Sequence, residues 1–275
     1  MLARFFSLIL FFSVSANSSQ QEFIPDDKNV LTEISPSSPP SSTLGTSIRL
    51  LSWNILKGEI AGWEQELDSL QANRNVILLQ EGMLNPSFRK LLSGIVDKTF
   101  VFAASFLWEQ AHYTGIYNGG SGQILRSQFF RSLDREPFSE TPKMALSTDF
   151  SLDGVRTLRV INVHSLNFVD DMAYERQLAQ ALVDFSDHTG PMLLAGDFNT
   201  SNQVRWEILE RLTTALQLRR VPTNSLPPWQ SLDHIFVKDC EVTRASELPS
   251  NFSDHPALMA DLDCSKILES SAVAF

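Results

Sequence analysis

Cysteine is scarce in this 275-residue chain, which holds only Cys240 and Cys264. Two isolated thiols do not make a zinc ligand set, so a zinc module is excluded. Either a disulfide between them or two unrelated thiols remains open. Cationic side chains are scarce too: 22 Lys and Arg stand against 32 Asp and Glu, for a formal net charge of -10. An acidic surface opposes tight nonspecific binding to a polyanion or an anionic membrane. A phosphate site screened by a bound metal is exempt, because there the ion's own charge decides. No basic stripe interleaved with aromatics occurs. Arg126, Lys143 and Arg205 are scattered, and each reads as a solvated surface charge ahead of a phosphate contact. There is no serine or cysteine nucleophile motif. The Gly-rich stretch Tyr117-Asn118-Gly119-Gly120-Ser121-Gly122 has no helix pattern after it, so it is not a nucleotide fingerprint. It reads as a loop, with a hairpin or a close backbone approach as its reason. After the first residues no apolar run reaches the ~20 residues of a membrane span, and no internal repeat is present.

The chain does have the material for one large core. Hydrophobic residues make up 43% and charged residues 20%, ordinary for a soluble globular domain. At the N-terminus Arg4 precedes an apolar stretch, Phe5 to Phe12, and Val14-Ser15-Ala16 has the small residues of a cleavage site. Residues 1–16 therefore read as a signal peptide, and the protein as secreted or periplasmic. Residues 17–47 are polar and rich in Ser and Pro. Such a segment buries too little apolar surface to order itself, so a disordered leader is expected there. The domain is expected over 48–264, followed by a short tail, 265–275. The sequence carries no assembly signal, and a monomer is the default.

Within the domain, short apolar runs alternate with helical patterns. Strands are predicted at 48–56, 75–82, 100–105, 143–150, 157–163, 192–197, 232–237 and 257–262. Amphipathic helices are predicted at 62–71, 86–95, 172–187 and 204–216. The turn Asp153-Gly154 pairs 143–150 with 157–163 as a hairpin.

Polar residues sit at the ends of these strands. Asn54 closes the first, although Asn is disfavoured inside strands. Glu81 closes the second, where an unpaired charge is costly; a divalent cation would pair it, and ligation by one or two carboxylates with waters is the habit of magnesium. His164 closes a strand and shares a face with Asn162; a histidine there can donate to a phosphate oxygen or protonate a leaving group. Asp197 and Asn199 leave the Met192 strand together, a carboxylate beside a carboxamide, suited to holding an attacking water or a phosphate oxygen. Asp233 and His234 open the next strand, so one of them must face inward. Asp254-His255 precedes the last strand, where Pro256 fixes an extended backbone. Each alone fits a turn or a solvated loop. Together, hard oxygen donors and histidines at so many strand ends are explained by one cleft, and they favour metal-assisted attack of water on phosphorus over acyl transfer. Trp108, Phe168 and Trp229 are rim candidates, with burial in the core as their default.

Ser-Trp-Asn-Ile at 52–55, Leu-Leu-Gln-Glu at 78–81, Asn-Val-His-Ser at 162–165, Ala-Gly-Asp-Phe-Asn at 195–199, Leu-Asp-His-Ile at 232–235 and Ser-Asp-His-Pro at 253–256 occur in one order. In this the chain resembles the endonuclease/exonuclease/phosphatase superfamily, of which the deoxyribonuclease-I-like enzymes, abasic-site endonucleases, neutral sphingomyelinases and inositol polyphosphate phosphatases are members. The resemblance covers about 48–263. It implies an α+β fold: a four-layer sandwich of two packed, mainly antiparallel sheets flanked by helices. It also implies a phosphoesterase dependent on Mg2+ (or Mn2+). Carried over, Glu81 is the principal metal ligand with Asn54 beside it, and Asp254 lies near enough to help. Asp197 positions or deprotonates the attacking water, and Asn199 steadies the phosphate. His255 binds phosphate or transfers a proton, oriented by Asp233. His164 matches the histidine of the deoxyribonuclease, sphingomyelinase and phosphatase branches. Abasic-site enzymes often carry an acid two positions after the first Asn, where this chain has Leu56, and that weakens a DNA-repair role. The expected function is thus hydrolysis of a phosphodiester, with endonuclease-like cleavage of nucleic acid the first reading. Phospholipid and inositol or sugar phosphates come next, and an inactive binding module on the same scaffold is the alternative of another kind.

Overall fold

The computed structural model describes residues 23–266; the predicted signal peptide, 1–16, and the tail beyond 266 lie outside them. Thirteen strands form two sheets. One has seven strands in the order β1-β4-β5-β3-β2-β13-β12 and the other has six, β10-β11-β9-β8-β7-β6. In chain order the elements are β1 (Leu31–Ile34), β2 (Ser47–Asn54), α1 (Trp63–Gln71), β3 (Val76–Met83), α2 (Pro86–Gly94), β4 (Thr99–Trp108), β5 (His112–Gly120), β6 (Ile124–Arg131), β7 (Met144–Ser151), β8 (Thr157–His164), α3 (Asp171–Leu182), β9 (Met192–Asp197), α4 (Gln203–Ala215), β10 (Arg219–Arg220), β11 (Asp233–Lys238), β12 (Glu241–Leu248) and β13 (Ala257–Asp263).

Among the described residues two strand pairs are parallel, β2 with β3 and β8 with β9. Each is joined by a crossover that contains a helix, α1 or α3, as parallel neighbours require. The central strands are buried on both faces, so alternate residues enter different cores. Leu50 and Leu78 point between the sheets, against Val160, Leu193 and Ile235. Leu51, Ile77 and Leu79 point outward beneath Trp63 of α1 and Phe88 of α2. On the other side Ile161, Leu194 and Phe236 lie under Tyr174 of α3 and Trp206 of α4. The result is four layers, helices on sheet on sheet on helices, as the resemblance implied. Asn85, Asp170 and Asn202 cap α2, α3 and α4 by accepting a backbone N–H at 2.8–3.0 Å, each worth about 1 kcal/mol.

Two expectations fail. The leader is not unordered to residue 47: Leu31–Ile34 forms β1 on the edge of the larger sheet, paired with Phe100–Ala103, and Val30 is fully buried. A preformed edge satisfies the backbone of a segment too polar to order alone. The Gly-rich stretch is not a loop but the end of β5. Its glycines answer a close approach, since a Cβ on Gly119 would stand 2.2 Å from the Phe100 ring. Cys240 and Cys264 form a disulfide, which resolves the two alternatives in favour of the bridge.

Candidate active site

Strand direction brings the polar residues to one end. Parallel β2 and β3, and parallel β8 and β9, point their C-termini the same way, and there stand Asn54, Glu81, His164 and Asp197. Strand β11 runs antiparallel to β9, so its first residue, Asp233, falls opposite Asp197 in register. Strand β13 runs antiparallel to β2, so the segment before it delivers His255. In β8 and β9, His164 is the register partner of Asp197.

Asp197 is at the centre, with 2% of its surface exposed. Asn54 Nδ2 donates to its Oδ2 at 3.1 Å, and the Asn199 backbone N–H donates to its Oδ1 at 3.0 Å. His255 Nε2 lies 3.8 Å and His164 Nε2 3.6 Å from the same Oδ2. His255 Nδ1 is hydrogen-bonded to Asp233 Oδ2 at 2.7 Å. Its backbone is fixed as well: Trp53 Nε1 donates to the His255 carbonyl, and the Ser253 hydroxyl accepts from the His255 N–H while donating to the Asn54 carbonyl. Burial holds the Asp197 carboxyl well above the ordinary carboxylate range, against the opposing pull of His255. Burial works against a charge on His255, but Asp233, Asp197 and Asp254 outweigh it and raise the imidazole to about 10. At neutral pH His255 is therefore a cation held between two acids.

Glu81 occupies a different setting. It is not the last residue of its strand: β3 runs on to Met83, with a bulge between Leu79 and Gly82. Glu81 sits in that bulge with φ +55°, and the bulge re-aims its side chain into the cleft. Its carboxylate is paired with Lys57 and lies 3.6 Å from His164 Nε2. Burial pushes the Glu81 carboxyl up, while a protonated His164 and the ammonium groups of Lys57 and Lys143 pull it down to about 2. His164 is itself kept well below its ordinary value by burial and by Lys143. It is neutral at neutral pH, where its share of that pull is absent and the two lysines supply what remains. Lys143 Nζ lies 3.2 Å from His164 Nε2, which therefore accepts.

The donor set fits a hard divalent cation. Glu81 offers a carboxylate whose second oxygen is not taken by Lys57, and Asn54 Oδ1 keeps a lone pair beyond the one that accepts the Leu56 N–H at 3.1 Å. Oxygen donors of this kind suit magnesium or manganese. Asp197, Asp233 and His255 also lie close together, but the 2.7 Å contact of Asp233 with Nδ1 makes that pair an acid–imidazole hydrogen bond.

Of the predicted residues, Asn54, Glu81, His164, Asp197, Asn199, Asp233 and His255 come together. Asp254 does not join them: it is exposed, its nearest hydrogen-bonding partner the Ser253 hydroxyl at 3.5 Å. Asn199 turns its amide to the Ser165 carbonyl at 2.9 Å, so it also braces the turn. Both Asp233 and His234 are buried, and His234 meets Thr200 Oγ1 at 2.7 Å. Asn162 does not accompany His164 into the cleft; it bonds Gln80 of the facing sheet at 2.7 Å, below the site. Among the cations read as solvated, Arg205 is buried on the carbonyls of Leu166, Asn199 and Val169, and Arg126 pairs with Asp184. Lys143 is buried inside the site. Lys57 carried no signal in the sequence beyond its place three residues after Asn54. Phe168 and Trp229 are exposed, and Trp108 is half-buried.

The chain matches the Endonuclease/Exonuclease/phosphatase family over residues 51–255. It is 31% identical over 219 residues to a UPF0294 protein of Vibrio parahaemolyticus, covering 77% of this chain and 76% of that one. Among solved structures it is similar to ANGEL2, a 2′,3′-cyclic phosphatase, with a TM-score of 0.63 and 12% identity over 86% of this chain and 99% of that one. The human Nocturnin catalytic domain gives 0.61 and 17%, over 80% and 95%. Identities this low speak to the fold alone. With its sheet order, its strand-end residues and the span matched, this chain belongs to the endonuclease/exonuclease/phosphatase family.

Proposed function

We propose that the chain is an exported, divalent-metal-dependent phosphoesterase that hydrolyses a phosphodiester by in-line attack of water. The observation that carries this is the line Asp233–His255–Asp197 beside Glu81: a cationic imidazole and a buried carboxylate aimed at one space. Asp197, held by Asn54 and Asn199, aligns the water and takes its proton. His255 donates Nε2–H to a phosphoryl oxygen, while Asp233 keeps Nδ1 protonated and the ring in place. His164 accepts from Lys143, so in this arrangement its Nε2 is not the proton donor, and Lys143 supplies positive charge on that side. A metal held by Glu81 and Asn54 would offset charge on the phosphoryl oxygens. A pure binding module has no need of both Asp197 and His255 in these states.

Nucleic acid, cut near an end, is the first substrate class we assign. A continuous duplex is disfavoured by the net charge of -10 and the lack of a basic track. A phospholipid head group is the second reading, favoured by the exposed pair Phe138 and Phe168, whose rings meet edge to face at 5.8 Å. The disulfide supports export, since such bonds persist in oxidising compartments. The test is turnover of plasmid DNA, RNA, sphingomyelin and inositol phosphates by the mature protein, with and without chelator. Metal-dependent cleavage of one class is expected; no turnover and no metal binding would return the chain to the binding-module alternative.

A further inference from the structure

A cavity of about 220 Å³ opens beside Glu81 and His164, and its lining includes none of Asp197, Asp233 and His255. Whatever fills it is thus the part of a ligand next to the reacting group. The volume is below the roughly 300–1,000 Å³ of sites that hold drug-sized molecules, so it admits one compact unit and no continuing duplex. Four charged side chains line it, Lys57, Lys143, Glu81 and Glu136.

Both lysines are fixed in place. Leu56 and Lys57 have φ of +46° and +56°, a left-handed pair that costs conformational energy in residues other than glycine. The turn aims the Lys57 ammonium between Glu81 and the face of Trp108, 4.5 Å from the ring centroid. Lys143 is pinned through its backbone, its N–H donating to Ser132 Oγ and its carbonyl accepting from Ser132 N, both at 2.9 Å. Its ammonium meets His164 Nε2 at 3.2 Å and Glu136 at 3.5 Å. The other oxygen of Glu136 accepts from Asn167 N at 2.9 Å. The two positive and two negative charges cancel as they stand. A divalent cation on Glu81 would leave an excess of two positive charges among partly buried side chains, which an anion would balance.

We propose that Lys57 and Lys143 form an anion subsite beside the metal carboxylate, and that it takes a terminal phosphate carried on the unit next to the scissile phosphoester. A phosphate monoester carries a charge of about -1.5 to -2 at neutral pH, which matches the excess. This deepens the phosphoesterase assignment and rests on it for the word substrate, but the binding site stands on its own charges.

The experiment titrates inorganic phosphate into chelated protein by calorimetry. In Glu81→Gln the carboxylate that neutralises Lys57 is gone, so phosphate is expected to bind on the order of tenfold more tightly than to the wild type. Adding Lys143→Met to that variant is expected to remove the gain, and Lys143→Arg to keep part of it. Equal affinity in wild type and Glu81→Gln, or indifference to Lys143→Met, overturns the subsite. If Glu81→Gln does not fold, phosphate inhibition of metal-dependent bis(p-nitrophenyl) phosphate hydrolysis decides: Lys143→Met should raise the inhibition constant on the order of tenfold, and an unchanged constant refutes the proposal. Phosphate binding without turnover of any diester would sink the enzyme assignment and leave the subsite standing. KM for a dinucleotide, and for glycerophosphoinositol, each with and without a terminal phosphate, separates a nucleic-acid end from a lipid-derived head group. A lower KM for the phosphorylated form in either pair supports the subsite, and no difference in both contradicts it.

Discussion

At the start of β8, Arg159 donates to both oxygens of Asp149, at 2.7 and 2.8 Å, and to Asp187 at 2.7 Å. At its end, roughly 17 Å away, His164 lies 3.6 Å from both Glu81 and Asp197 and is hydrogen-bonded to neither. The far end also has Arg126 on Asp184 and Arg156 on Asp153. There each carboxylate meets a guanidinium at hydrogen-bonding distance, and the cluster ties β6, β7 and β8 to the segment that follows α3. The cleft end gathers three acids and two histidines around contacts that are mostly too long to be hydrogen bonds. Its acids are held by neutral amides, by Lys57 and by His255. The same residue types thus serve cohesion at one end and chemistry at the other.

The largest effect that separates the ends is on rate. Asp197→Asn should lower turnover by about 10²–10⁴ without lowering the melting temperature, because it removes a buried charge whose ionisation burial opposes. A melting temperature that falls with the rate would make Asp197 a structural acid. Arg159→Met should do the reverse. It strands Asp149 in a buried site, at a cost of about 3–5 kcal/mol, and should leave turnover per folded molecule unchanged; urea melts and active-site-normalised rates read both. Replacing Cys240 and Cys264 together by Ser opens a loop of 24 residues' separation. By loop entropy this should cost about 3 kcal/mol, again with activity intact at low temperature.

A further difference is in the response to pH. Burial and Arg220 push the His234 imidazole down to about 3. Its folded value is below its unfolded one, so its contribution is full above about 6.5 and is lost as pH falls from there toward 3, at no more than about 1.4 kcal/mol per pH unit. At the far end burial pushes the Asp184 carboxyl up, but its hydrogen bonds and the charges of Arg126 and Arg159 together hold it below the ordinary carboxylate value. It loses its contribution only as pH falls through that lower range. His234→Gln should therefore flatten the stability curve between pH 6.5 and 4 and leave the steeper acid limb; an unchanged slope would show that His234 does not set it.

Much of the cleft was legible because strand ends are. An Asn, Glu, His or Asp that closes an apolar run has few cheap explanations, and strand direction then brings such residues together. The pairing of Asp233 with His255 followed from the motifs. The lysines were hidden. Lys57 stands in a left-handed turn, a position that does not differ in sequence from a solvated loop, and Lys143, at the start of a predicted strand, read as a scattered surface cation. Their burial depends on the facing strands. The bulge at Glu81 was hidden for a similar reason, since a bulge is set by how β3 pairs with β5. Strand β1 could not be read because its order comes from the edge of β4, seventy residues on. Glycines at the end of β5 suggested a loop because a clash with Phe100 is a tertiary fact. Asp254 was carried over with the motif, but the structure leaves it exposed.

The most direct measurement is the rate of bis(p-nitrophenyl) phosphate hydrolysis against magnesium or manganese concentration, for the wild type and for Glu81→Gln. The wild type should be inactive in chelator and rise to saturation with metal, while Glu81→Gln stays near the baseline over the same range. A rate indifferent to chelator, or a variant that follows the wild-type curve, would contradict the assignment of Glu81 and the metal-assisted chemistry built on it.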